Sequence, residues 1–137
     1  MTHSIAAAKY VSFTTFKKSG EPVATPVWIA PTVPGLGQSG DLVFVTELDT
    51  WKVKRLRRDP RVELRECDAR GRVAPGAAVV HGTAWVATGP EQVRLTKDAI
   101  GAKYGLLYRL FAVAERLVLR HLPGHSERAG IVVTLGP

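Results

Sequence analysis

The chain has 137 residues, 45% of them hydrophobic and 23% charged, a balance that supports one globular domain over residues 1–137 and excludes a disordered chain. A single cysteine, Cys67, excludes an internal disulfide scaffold and a cysteine-based zinc site, and the four histidines lack metal-ligand spacing, so no metal is expected. No apolar run approaches the roughly 20 residues of a bilayer span. The first residues also lack the basic start and apolar centre of a secretory signal, so the expectation is a cytoplasmic protein with no integral membrane segment.

Nineteen Lys and Arg against twelve Asp and Glu give a net charge of +7. Such an excess attracts an anionic partner: nucleic acid, a membrane surface, or a phosphorylated or carboxylated small molecule. It is concentrated, because six of the eleven residues from Trp51 to Arg61 are basic and one, Asp59, is acidic.

Residues 10–16 are β-branched and aromatic and predict a strand, closed by a polar turn at 17–20. Residues 21–30 predict a second strand, whose Pro22 and Pro26 call for an edge or a bulge because proline cannot donate to a ladder. A Gly/Pro-rich loop at 31–40 leads to a third strand at 41–46. Thr50 is a fitting N-cap for a helix that runs to Arg58 and stops at Asp59-Pro60. A fourth strand follows at 62–67, then a polar loop at 68–76. A long fifth strand at 77–88 carries Gly82, which marks a bulge or the close approach of another backbone. Pro90 opens a helix to about residue 103. Residues 104–122 place Leu106, Leu107, Leu110, Phe111, Ala114, Leu117 and Val118 on one helical face. Pro123-Gly124 ends it, and residues 129–135 form a closing strand. This order suits a mainly β fold, a six-stranded antiparallel barrel with helices packed outside.

On the helix that follows Thr50, Lys52 and Arg55 stand three apart and are neighbours, while Val53 and Leu56 can anchor it. The Thr50 hydroxyl, the first-turn N–H groups, a lysine point charge and an arginine fork together favour a phosphate. A solvated basic face accounts for the same residues equally well. Arg109, Arg116 and Arg120 share one face of the 104–122 segment and read first as its wet side, ahead of a seat for an anionic tail. No Ser/His/Asp or Cys/His arrangement assembles, and no catalytic residue is assigned. His81 is as readily a packed histidine as a proton donor.

Several of these pieces together resemble a known family. They are residues 10–16, the run Thr25-Pro26-Val27-Trp28, the pattern Thr50-x-Lys52-x-x-Arg55-Leu56-x-x-x-Pro60, residues 81–84 and residues 103–107. In order and spacing they are similar to the pyridoxamine-phosphate-oxidase-like split β-barrel proteins, and most similar to the actinobacterial branch of oxidoreductases that use the deazaflavin coenzyme F420. The likeness spans nearly the whole chain.

The resemblance implies a six-stranded split β-barrel and a homodimer with cofactor sites at the subunit interface. It places ring-side contacts on Pro26, Val27 and Trp28 and phosphate contacts on Thr50, Lys52 and Arg55, with Thr46 a further contact at the end of the third strand. Lys54 joins this set beside the phosphate site. The activity it implies is hydride transfer from reduced coenzyme F420 to a small organic substrate, with FMN as the alternative cofactor. The excess positive charge favours coenzyme F420, which carries a glutamate tail in addition to its phosphate. From another class stand a cofactor carrier without turnover and a basic nucleic-acid-binding barrel. Nucleic acid is not expected as a partner, because such barrels need several stacking aromatics along a cationic groove and the cluster holds only Trp51.

Overall fold

A computed structural model of the chain describes residues 4–105, 110 and 127–136. After a short helical turn at Ser4–Ala7 come β1 (Tyr10–Phe16), β2 (Pro22–Val27), β3 (Ala30–Pro31), β4 (Leu42–Glu47), α1 (Trp51–Arg58), β5 (Arg61–Cys67), β6 (Val80–Ala87), α2 (Pro90–Tyr104) and β7 (Arg128–Leu135). The strands form one antiparallel sheet in the order β2-β1-β5-β6-β7-β4-β3.

The two edge strands of this sheet, β2 and β3, are separated in sequence by Trp28 and Ile29 alone. From Val27 to Ala30 is three residue steps, no more than about 11 Å of extended chain, so the sheet must curl until these edges come together. The Phe13 and Phe44 rings confirm the closure. They sit on β1 and β4, which are not paired, yet their centroids are 4.7 Å apart at an interplanar angle of 69°. This edge-to-face contact crosses the barrel interior. Val11, Leu64, Ile131, Val133 and Leu42 pack around it, each at most 2% exposed.

Seven strands form where six were expected. The stretch at 21–30 divides because its first part pairs with β1 and its last part, Ala30 and Pro31, pairs with Val43 and Leu42 of β4. A single straight strand could not serve both ends of the sheet. The prolines lie on the two edges, as their missing N–H requires. Gly82 marks a close backbone approach: a Cβ there would stand 2.7 Å from the Thr134 carbonyl oxygen of β7.

Helix α1 is held at its start by Thr50, whose hydroxyl accepts from the Val53 N–H at 3.3 Å and donates to the Glu47 carbonyl at 3.2 Å. Val53 and Leu56 are buried beneath it, on the side that meets β1 and β6. Helix α2 lies across the outer face of β3, β4 and β7. There Gly130 leaves the space that the fully buried Thr96 side chain fills. The helix expected at 104–122 does not begin at Tyr104, which is the last residue of α2 and is followed by the C-cap Gly105; Arg109, Arg116 and Arg120 lie outside the described residues.

Candidate functional site

The first turn of α1 brings Lys52 against the end of the barrel. Its ammonium stands 5.6 Å from the centroid of the Phe44 ring. Burial lowers its pKa from 10.5, and repulsion from Arg55 lowers it further. Arg55, one turn on, donates from Nη1 to the hydroxyl of Thr15 at 3.4 Å. Thr15 is 1% exposed on β1 and shares the inward parity of Phe13. Thr46 is buried on β4, two residues beyond Phe44 on the same side of that strand. Among the described residues, the nearby carboxylates serve other partners. Asp49 pairs with Lys54 at 3.9 Å and Asp59 with Arg61 at 2.8 Å, and none pairs with Lys52 or Arg55. Two adjacent cations, one of them half-buried, thus lack a counter-anion among these residues, the electrostatic condition of an anion site.

Lys54 does not join them. Residues two apart on a helix point about 200° apart, and the Lys54 ammonium stands 4.7 Å from the Trp51 ring centroid. Thr50 caps the helix and stands at the mouth of the site, its hydroxyl already shared between Val53 and Glu47.

The three ring-side residues meet three different surroundings. Pro26 is exposed on the outer face of β2, with Gly71 of the 68–72 turn close to its ring. Val27 points inward and is 8% exposed. Trp28 is half-buried and stacks on Tyr104, with centroids 5.0 Å apart and planes within 17°. Along β1, Arg55 touches Thr15, which opposes Val23, whereas Ser12 opposes Pro26. The three-residue offset is about 10 Å of strand, and it leads from the inner face at Thr15 to the outer face at Pro26.

Sequence reasoning gave no role to two features. The hydroxyl oxygen of Thr25, opposite Phe13, is buried and has no hydrogen-bond partner among the described residues. Alternation with Val23 and Val27 already places Thr25 inward, so this signal was available. The second is the pair Lys103 and Tyr104, which reach across from the end of α2. Lys103 Nζ donates to the carbonyls of Ala8 and Ile29 at 2.6 and 2.5 Å. The Tyr104 hydroxyl lies 2.8 Å from the Lys9 carbonyl and 3.1 Å from that of Ile29, and burial pushes its pKa up to about 12.

Other candidates lie elsewhere. His81 is exposed on the outer face of β6, 3.8 Å from Glu63. Burial raises the pKa of the Cys67 thiol, which suppresses its nucleophilicity. A groove of about 700 Å³ lies between the first helical turn, β3 and α2, and none of the expected site residues lines it. Among the described residues no group of acidic, histidine or cysteine side chains could hold a metal, and no helix is long and apolar enough to cross a membrane.

A curled antiparallel sheet with a capped basic helix at one end and a proline-edged strand leading to its seam is a split β-barrel. The chain belongs to the pyridoxamine 5'-phosphate oxidase family, whose model matches residues 2–134. Solved structures similar in fold include three that differ in what they are described as binding. One described as an F420 reductase shares 17% identity over 98% of this chain and 92% of its own, with a TM-score of 0.58. A pyridoxamine 5'-phosphate oxidase-related FMN-binding protein from Nostoc punctiforme shares 12% over 96% and 73%, also at 0.58. HutZ, the heme storage protein from Vibrio cholerae, shares 11% over 94% and 82%, at 0.60. No curated protein matches the chain by sequence.

Proposed function

We propose that this protein is a cytoplasmic oxidoreductase that binds reduced coenzyme F420 and serves the reduction of a small organic substrate. The observation that carries the reading is the Lys52–Arg55 pair, which has no carboxylate partner among the described residues. A phosphate seated there removes the repulsion between the two cations and compensates the burial of Lys52. The hydroxyl of Thr25, buried and unpartnered among the described residues, offers a hydrogen bond to a polar ring edge. Val27 and Trp28 form the apolar wall beside it, Pro26 stands on the opposite, outer face of β2, and Thr46 and Thr50 flank the phosphate. When bound, the deazaflavin ring supplies the hydride, and the protein supplies position, charge and exclusion of water.

The choice of coenzyme F420 over FMN rests on the cations that remain around α1. Arg57 is exposed and has no partner among the described residues, and Lys54 and Arg58 are exposed nearby. They suit the carboxylates of a glutamate tail. FMN is the alternative, because the same Lys52–Arg55 pair suits its phosphate. A homodimer fits the one-sided cover of the barrel. Helix α2 screens β3, β4 and β7, while the outer residues Ala24, Pro26, Thr83 and Trp85 of β2 and β6 stay exposed. A second copy on that face would complete the ring-side wall next to Pro26. Titration of the purified chain with coenzyme F420 and with FMN tests the proposal. Tighter binding of coenzyme F420 supports it, and binding of neither cofactor refutes it.

A further inference from the structure

We infer that Lys103 and Tyr104 act as a clasp that positions Trp28 in the ring-side wall, an inference that rests on the cofactor reading above. The seam of the barrel is the two-residue link Trp28-Ile29. Among the described residues its neighbours by strand pairing are β2 on one side and β3 on the other, and β3 has just two residues. Ile29 is anchored in the core, and Lys103 and Tyr104 add contacts to the link from the end of α2. Lys103 and Tyr104 both direct a polar group at the Ile29 carbonyl, at 2.5 and 3.1 Å. Lys103 also donates to the Ala8 carbonyl at 2.6 Å, and the single Tyr104 O–H is shared between the Ile29 carbonyl and the closer Lys9 carbonyl at 2.8 Å. Ala8 and Lys9 lie in the segment before β1. The Tyr104 ring then stacks on Trp28. Two consecutive residues at the end of α2 thus join three chain segments and set the plane of one indole.

The energetics fit positioning more than gross stability. Lys103 is a cation lowered in pKa by burial, a cost accepted to hold two backbone carbonyls. The stacked pair fixes two rotamers at once, so a ring-bearing ligand meets an ordered indole and loses less entropy on binding. Tyr104 and Lys103 are positioning residues: they act through Trp28 and Ile29.

The test uses the full chain carrying Trp51→Phe and Trp85→Phe, in which Trp28 is the sole indole. Tyr104→Leu should raise acrylamide quenching of Trp28, and Tyr104→Phe, which keeps the stack, should raise it less. Tyr104→Leu should also weaken coenzyme F420 and FMN by about three- to tenfold. Binding of ribose 5-phosphate, which lacks the ring, should stay unchanged. Unchanged quenching in Tyr104→Leu overturns the clasp. Increased quenching with undiminished cofactor affinity overturns its role at the site, as does an equal loss of ribose 5-phosphate. Failure of the unsubstituted chain to bind either cofactor overturns the underlying reading and is recognised without any variant.

Discussion

Lys52 holds its ammonium 5.6 Å from the centre of the Phe44 ring, half-buried, with Arg55 as its repulsive neighbour. Attraction to the ring face returns about 0.5–1 kcal/mol at a partly exposed site. That is less than desolvating an ammonium commonly costs, so the position favours ligand binding at the expense of the empty fold.

Lys52→Met should therefore separate function from stability. Losing a charge-assisted contact should weaken a phosphate-bearing cofactor by about 1–3 kcal/mol. Removing the partly desolvated charge while keeping the side chain's length should stabilise the empty protein by on the order of 0.5–1 kcal/mol. Cofactor titration and thermal melting of the same sample check both. A variant that binds as tightly as the original would remove Lys52 from the site.

The pH dependence should carry two opposite signatures. Lys52 and Lys103 have folded pKa values below 10.5. Between those lowered values and 10.5 the unfolded chain binds more protons, so stability from these groups rises with pH. Cofactor affinity should fall over the Lys52 window, because the ammonium is lost, and Lys52→Arg should flatten that fall. Tyr104 is raised from 10.0 to about 12. Its contribution is complete below 10 and disappears as pH rises through 12, and Tyr104→Phe should abolish that alkaline loss. Denaturant melts from pH 8 to 12 would show each sign.

Gly130→Ala should be strongly destabilising, and more so than a typical glycine change. The added methyl would meet the Oγ1 of Thr96, a residue with no exposed surface whose hydroxyl donates to the Gln92 carbonyl at 2.8 Å. Overpacking of this kind costs about 1–3 kcal/mol. Gly130→Ala combined with Thr96→Ala should recover part of the loss, because Ala lacks both the Oγ1 and the Cγ2 that the new methyl would meet. No recovery would mean that strand β7 itself is distorted.

Most strands and both helix starts were legible because each has a local cause. Thr50 caps, Asp59 stops, Pro90 opens, and alternation from Tyr10 to Phe16 sets an inward face. The division of the second strand was not legible, since it depends on which distant strand each half pairs with. Lys52 and Arg55 were readable as neighbours from helix periodicity. Their lack of a carboxylate was not, because Asp49 and Asp59 are just as near in sequence and only the folded geometry assigns them to Lys54 and Arg61. The clasp was invisible for the same reason: Lys103 lies 95 residues from Ala8 and 74 from Ile29.

The last prediction distinguishes the two cofactors through a single arginine. Of the exposed cations on α1, Lys54 faces Asp49 and the Trp51 ring, and Arg58 donates to the Phe16 carbonyl. Arg57 has no partner among the described residues, so it can turn to a tail carboxylate at the least cost. Arg57→Ala should weaken coenzyme F420 by on the order of 0.2–1 kcal/mol, the range for a hydrated and screened pair. It should leave FMN, which has no tail, unaffected. The affinity for coenzyme F420 should also fall more steeply with added salt than that for FMN, since each exposed pair is screened within about a Debye length. Lengthening the glutamate tail should steepen the slope further. Equal salt slopes for the two cofactors, with FMN bound more tightly, would transfer the assignment to FMN and leave Lys52 and Arg55 as its phosphate site.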